Sequence, residues 1–180
     1  MKPNTFLAVL AITTSVASAG ASQAATVLVN VFAKENSVVL QQGADTGITL
    51  AAGKAFAVSA DKADLWRIGT NLPRHEGNAE GMVQSRLYTL FGDTAFGATF
   101  NHGTLVGRIG EGAYFKIGTL FNGIAQNAGV LRLFAWDINS NDNSGFVTAE
   151  IDVAAVPLPA GAPLLLAGLA ALGLLRRRKA

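Results

Sequence analysis

The apolar positions of this chain recur mostly at every second residue, the period of a half-buried strand. Thr26–Ala33 sets Val27, Val29 and Val31 on one face and Leu28, Asn30 and Phe32 on the other. Phe146–Val153 alternates more cleanly, with Val147, Ala149, Ile151 and Val153 opposite Thr148, Glu150 and Asp152. Val130–Trp136 is an apolar run broken only by Arg132. Gly47–Leu50 and Ala55–Ala60 flank Ala51-Ala52-Gly53-Lys54, which reads as a short hairpin connection. Leu105–Ile109 and Tyr114–Ile117 bracket Gly110-Glu111-Gly112, another tight turn. At least seven short strands punctuated by glycine predict an all-β domain, an antiparallel β-sandwich. Between the two ends of the chain no window sustains a helical period, and no repeat of fixed length occurs. The stretch Asp61–His102 follows no period. It reads either as a binding rim or as plain surface loop with one strand around Met82–Phe91.

The two ends have a different pattern. Residues 1–25 read as a signal peptide: Lys2, an apolar run Phe6–Val16, then Ala17-Ser18-Ala19 or Ser22-Gln23-Ala24 as cleavage sites. At the other end Val156-Pro157-Leu158-Pro159-Ala160 leads an apolar run to Leu175, followed by Arg176, Arg177, Arg178 and Lys179. The 16 residues from Ala160 make a helix of about 24 Å against a hydrocarbon core of roughly 30 Å. Such a helix spans a thinned bilayer or draws in the residues before it. The basic cluster then fixes the C-terminus in the cytoplasm and leaves the domain outside. A permanent tail anchor is the plain reading. The order of Val156–Ala160, apolar stretch and basic end resembles the VPLPA-type variant of PEP-CTERM sorting signals. That resemblance implies cutting near the proline motif by an exosortase-type membrane peptidase. It also implies an inner-membrane-anchored precursor, delivered to the cell surface or extracellular matrix of a Gram-negative bacterium. The expected organisation is signal peptide 1–25, β-sandwich 26–155 and sorting signal 156–180.

Charge changes the picture once the ends are set apart. The whole chain carries +2, with 14 Lys and Arg against 12 Asp and Glu. Five of the basic residues are Lys2 and Arg176–Lys179, so nine face all 12 acids in the sandwich, a balance of −3. The domain is mildly acidic and has no basic stripe with interleaved aromatics, which argues against nucleic acid as a partner. The absence of cysteine removes disulfides, thiol chemistry and Cys-based zinc sites, leaving packing and a metal to hold an exported fold.

Between the two best strands lies Asp137-Ile138-Asn139-Ser140-Asn141-Asp142-Asn143-Ser144-Gly145, with two carboxylates, three carboxamides and two hydroxyls. Hard cations want six to eight oxygens, and Ca2+ is the usual guest. The same residue types are also ordinary turn formers. Asp137, Asn139 and Asn141 copy the first ligand positions of an EF-hand, but Asp142 and Thr148 stand where Gly and Glu are required, and the flanks are strand-like.

Gly103-Thr104-Leu105-Val106-Gly107-Arg108-Ile109-Gly110-Glu111-Gly112, Phe115–Phe121, Gly129-Val130-Leu131 and Asp142-Asn143-Ser144-Gly145 follow one another in an order that resembles the calcium-dependent galactophilic lectins of bacteria (PA-I type). The resemblance implies a galactose-binding-like sandwich and a calcium ion. It also implies metal ligands at Asp137, a carbonyl among Asn139–Asn141, Asp142 and Asn143, with one more carbonyl from Leu65 or Trp66. A galactoside is the implied ligand, and His75 stands where such a lectin places a polar sugar contact. Trp66, read as loop-borne, is expected either to stack on a sugar face or to pack inside. Trp136 is expected to be half core. His102, beside Gly103, reads as a turn residue. Neither histidine has a Ser or Cys partner in a nucleophile elbow, and Asp137 and Asp142 share one turn, so no enzyme is expected. Two functions follow: a calcium-assisted carbohydrate-binding module, or a structural matrix protein whose ion only stabilises.

Overall fold

A computed structural model of the chain describes residues 25–70, 75–82 and 92–154. The expected signal peptide except Ala25, the motif Val156–Ala160, the basic cluster Arg176–Lys179 and most of the strand expected at Met82–Phe91 lie outside the described residues. Among the described residues no helix is long and apolar enough to cross a membrane.

Among the described residues twelve strands follow in chain order: β1 (Ala25–Phe32), β2 (Ala44–Leu50), β3 (Ala55–Ala60), β4 (Trp66–Arg67), β5 (Glu76–Gly77), β6 (Asp93–Ala95), β7 (Ala98–Phe100), β8 (Leu105–Ile109), β9 (Phe115–Lys116), β10 (Leu120–Ile124), β11 (Gly129–Ala135) and β12 (Ser144–Val153). One sheet is built around β12, which pairs with β1 on one side and with β3 and then β4 on the other; β10 extends β3, and β5 extends β4. The second sheet runs β2-β11-β8-β9, and β6 and β7 form a separate ribbon. Every strand pair is antiparallel. The expected antiparallel sandwich is found.

The alternation in β1 and β12 has its cause in the inter-sheet core. Val31, Val147, Ala149 and Ile151 point inward and pack with Leu50, Phe56, Val58, Leu105, Leu131 and Leu133. Burial of each large aliphatic side chain there contributes roughly 1.5–3 kcal/mol. Strands β8 and β11 are apolar on both faces for a different reason. Their outer residues Val106 and Phe134, together with Trp136, form a second cluster with Val38 and Tyr114, under Ala95, Ala98 and Phe100 of the ribbon.

One topological expectation is corrected. Ala51-Ala52-Gly53-Lys54 is not a hairpin connection, because β2 pairs with β11 in one sheet while β3 pairs with β12 and β10 in the other. The turn, closed by the Lys54 N–H donating to Ala51 O at 3.0 Å, carries the chain across the sandwich. The polar loop after Trp136 does the same. It leaves β11 in one sheet and enters β12 in the other, so it closes one end of the sandwich and does not cap a pair of neighbours. The hairpin around Gly110-Glu111-Gly112 is found, with Val106 opposite Lys116 and Gly107 opposite Phe115.

Candidate metal centre

At the sandwich end crossed by residues 137–143, Asp137 turns inward and is 1% exposed. Its backbone is fixed first: Ser37 Oγ donates to Asp137 O at 2.6 Å, and Asp137 N–H donates to Ala135 O at 3.0 Å. Its carboxylate then accepts the Asn139 N–H on Oδ1 at 2.9 Å and the Asn143 Nδ2 on Oδ2 at 2.7 Å. The Asn143 amide also donates to Ala33 O at 3.1 Å, which ties the loop to the end of β1. Asn143 is 5% exposed, and its Oδ1 has no hydrogen-bond donor among the described residues. A buried acceptor left without a donor costs about 1–3 kcal/mol, so this atom is open to a donor or a cation.

The rest of the loop is a rim. Asn139 and Asn141 are exposed and Asp142 is half-buried. Asn139 Nδ2 donates to Asp142 Oδ1 at 3.4 Å, and the Asn143 N–H donates to Ser140 O at 3.3 Å. Asn139 thus links Asp137 and Asp142 through its backbone and its side chain. No described contact engages the Asn141 side chain. Leu65 exposes its side chain, but its carbonyl lies 3.6 Å from where a Cβ on Gly145 would sit, beside the loop's last residues. The structure therefore gathers Asp137, Asn139, Asp142 and Asn143, and puts the Leu65 carbonyl next to their exit.

The aromatic expectations divide. Trp66 is 1% exposed, and its indole N–H donates to Gly103 O at 3.1 Å. The reading of Trp66 as a sugar-stacking residue is corrected: its two-residue strand β4 is held between β12 and β5, so the ring belongs to the core. Trp136 is wholly buried where half-burial was expected, and its indole N–H donates to Asp93 O at 2.8 Å. His75 is half-buried and packs over Gly69, which has φ +113° and whose Cβ would meet the imidazole at 2.1 Å. The Ile68 N–H donates to His75 O at 2.7 Å. Extending the register one residue past Ser144, Arg67 and Glu76 puts Asn143, Ile68 and His75 in one row. His75 then stands two strand spacings, roughly 10 Å, from Asn143.

Two residues with no distinguishing sequence pattern complete the corner. His102 Nδ1 lies 2.5 Å from Asp93 Oδ2 and 3.7 Å from Asp137 Oδ1. His102 sits in a turn, as expected, but the turn is anchored: Gly103 N–H donates to Trp136 O and Trp136 N–H to Thr104 O. Burial works to lower the His102 pKa. The Asp93 hydrogen bond and the charges of Asp137, Asp93 and Asp142 outweigh it and hold the pKa above its usual value. Burial pushes the Asp137 carboxyl up, and the Asn139 N–H, His102 and Asn143 offset this only partly. An ionised Asp137 is therefore short of positive charge. Oxygen-rich and buried at Asp137 and Asn143, the corner has donor types that suit a divalent ion.

No protein-family model matches this chain, and no curated protein does. Among solved structures, one described as the EclA N-terminal domain, a PllA-like lectin, superposes with a TM-score of 0.54 at 23% sequence identity. The match covers 71% of this chain and 96% of that one. A likeness at this identity establishes the fold. The central domain is an antiparallel β-sandwich that shares its fold with that structure.

Proposed function

We propose that this chain is an exported, calcium-assisted carbohydrate-binding module. The observation that carries the reading is the buried Asn143 Oδ1, an acceptor without a donor, beside a carboxylate that burial leaves short of positive charge. Asp137 and Asn143 would hold the ion from the inside. Asp142, the Asn139–Asn141 segment and the Leu65 carbonyl would hold it from the rim. Bound Ca2+ supplies positive charge and coordination positions open to sugar hydroxyls. The chain's own part is to bury Asp137, to tie the loop to β1 through Asn143, and to place His75 in the same row as a polar contact. The lectin-like fold supports a sugar as ligand, with a galactoside first to be tried. The arrangement asks for no catalysis.

Calorimetric titration with galactosides and other simple sugars, in calcium and in chelator, tests the reading. Binding in calcium alone is expected; no binding in either state overturns it. Burial of Trp66 removes one aromatic platform and so favours a second reading, in which the ion only stabilises a structural matrix protein. In that case chelation lowers the melting temperature and no sugar shifts it.

Export and sorting extend the proposal, supported by residue pattern alone. The mature chain would begin after Ala19 or Ala24 and be cut near Val156–Ala160 by an exosortase-type peptidase. Until then Ala160–Leu175 and the basic cluster would hold it in the inner membrane. Intact-mass measurement of the cell-surface protein checks both ends.

A further inference from the structure

We propose that Asp93, His102 and Asp137 form a second donor set, a mixed nitrogen–oxygen site for a borderline divalent cation of the Zn2+ type. The three donor atoms all lie within 4.8 Å of one another. Ligands bound at about 2.0–2.1 Å in a tetrahedron stand roughly 3.3 Å apart. The His102–Asp93 separation of 2.5 Å is shorter than that and the His102–Asp137 separation of 3.7 Å slightly longer, so the set reaches ligand geometry by side-chain adjustment. Two carboxylates and a neutral imidazole carry −2, which a divalent ion cancels. The ion takes the place of the proton now shared between His102 Nδ1 and Asp93, and that proton is released to solvent.

The choice of cation follows from the imidazole. Calcium binds through oxygens, whereas nitrogen with carboxylate oxygen suits zinc and its neighbours. Three protein ligands leave a fourth position open. A further polar group stands in the same corner: Asn143, whose amide donates to Asp137 Oδ2, is 5% exposed and keeps an Oδ1 without a donor among the described residues. The proposal rests on Asp137 facing a cation, as the calcium reading does, but through the oxygen turned toward His102.

The donors come from three segments, and Trp136 holds all of them. Asp93 is fixed by its carbonyl on the Trp136 indole, with Phe100 of the same ribbon edge-on to that ring at 4.8 Å. The turn carrying His102 is bonded to the Trp136 backbone on both sides. Asp137 follows Trp136 directly, with its carbonyl held by Ser37. Ligands fixed this way before the ion arrives lose little freedom on binding it.

Untagged, chelator-treated full chain is titrated with ZnCl2, CoCl2 and CaCl2, followed by calorimetry, melting temperature and the visible absorption of Co2+. One saturable equivalent of Zn2+ is expected, with Co2+ bands of a nitrogen- and oxygen-ligated ion. His102→Gln and Asp93→Asn should each weaken Zn2+ binding by about 100-fold or more and leave the calcium response in place. Far-UV circular dichroism reports folding for every variant. Zn2+ binding that survives both His102→Gln and Asp93→Asn overturns the proposal, as does a folded wild-type chain with no saturable Zn2+ site. Calcium-dependent sugar binding without a Zn2+ response sinks this inference and spares the lectin reading. A His102-dependent Zn2+ response without any sugar binding does the reverse.

Discussion

Glu80 and Asp137 are both carboxylates drawn in from the surface of one sandwich, and they reach opposite electrostatic ends. Glu80 accepts from Lys116 Nζ at 2.7 Å, from the Thr119 N–H at 2.7 Å and from the Thr119 hydroxyl at 2.9 Å. Burial pushes its pKa up, but the Lys116 and Thr119 donors outweigh burial and hold it at about 2. Asp137 is far more deeply buried, has amide donors and one histidine, and its pKa stays above the usual carboxylate value. The first carboxylate is completed inside the chain and acts as a clamp between residues 75–82 and the start of β10. The second, on the proposed reading, would be completed by an ion from outside. Burial alone therefore does not mark a ligand site; burial with too few positive donors does.

The largest effect expected from this contrast is the response to cation. An ion at 100 times its Kd adds about 2.7 kcal/mol, or roughly 10 °C in melting temperature for a domain of this size. Asp137→Asn should abolish that shift while lowering the cation-free fold by no more than about 1 kcal/mol, the worth of one rearranged hydrogen bond. Glu80→Gln should leave the shift intact. Thermal melts with calcium and with chelator check both variants, and a full calcium shift in Asp137→Asn breaks the comparison.

Next in size is Glu80→Ala. Three charge-assisted contacts are lost together, and the expected cost is about 2 kcal/mol, equal in calcium and in chelator. Urea unfolding in both media measures it. A cost that appears only in calcium would make Glu80 part of the metal centre.

The sandwich was legible in β1 and β12 because one face of each is buried and the other wet, which writes a period of two into the residues. The loop at 137–145 was legible as a polar turn between two strands, while its residue types alone serve a cation site and an ordinary turn equally. The crossing at Ala51–Lys54 was not, since a tight turn has the same residues whether its strands pair or part. Trp66 was misread because a two-residue strand leaves no periodic trace, and its burial comes from β12 and β5 on either side. The three-residue strands of the ribbon escape for the same reason, and β10 escapes because Asn122 and Gly123 interrupt its apolar residues and none of its residues is fully buried. Asp93 and His102 had no signal at all. They meet Asp137 because Trp136 fastens the ribbon and the turn, a contact that no local spacing encodes.

A smaller effect lies in acid. Glu80 has a folded pKa of about 2 against 4.5 for the free group, so its contribution is fully present above pH 4.5 and is lost as pH falls toward 2. With a third of the side chain exposed, solvent screening reduces that contribution to about 1–2 kcal/mol. Glu80→Gln should flatten the stability curve across this window and leave its slope above pH 5 unchanged. Urea midpoints at pH 3, 4.5 and 7 measure the difference. An unchanged acid arm would mean that the Thr119 and Lys116 bonds do not favour the charged form.

The smallest effect is also the sharpest probe of how the clamp is built. Lys116 is half exposed, and ion pairs of that kind contribute about 0.5 kcal/mol, less in high salt. Lys116→Met keeps most of the aliphatic stem and removes only the charge, so it should cost about 0.5 kcal/mol in low salt and nearly nothing in 1 M NaCl. The two Thr119 donors would still hold the Glu80 carboxylate. A double-mutant cycle with Glu80→Gln isolates the pair, and a coupling of about 0.5 kcal/mol is expected. If Lys116→Met instead costs as much as Glu80→Ala, then Glu80 depends on a single cation, as is proposed for Asp137. The two carboxylates would then differ only in whether the chain supplies that cation itself.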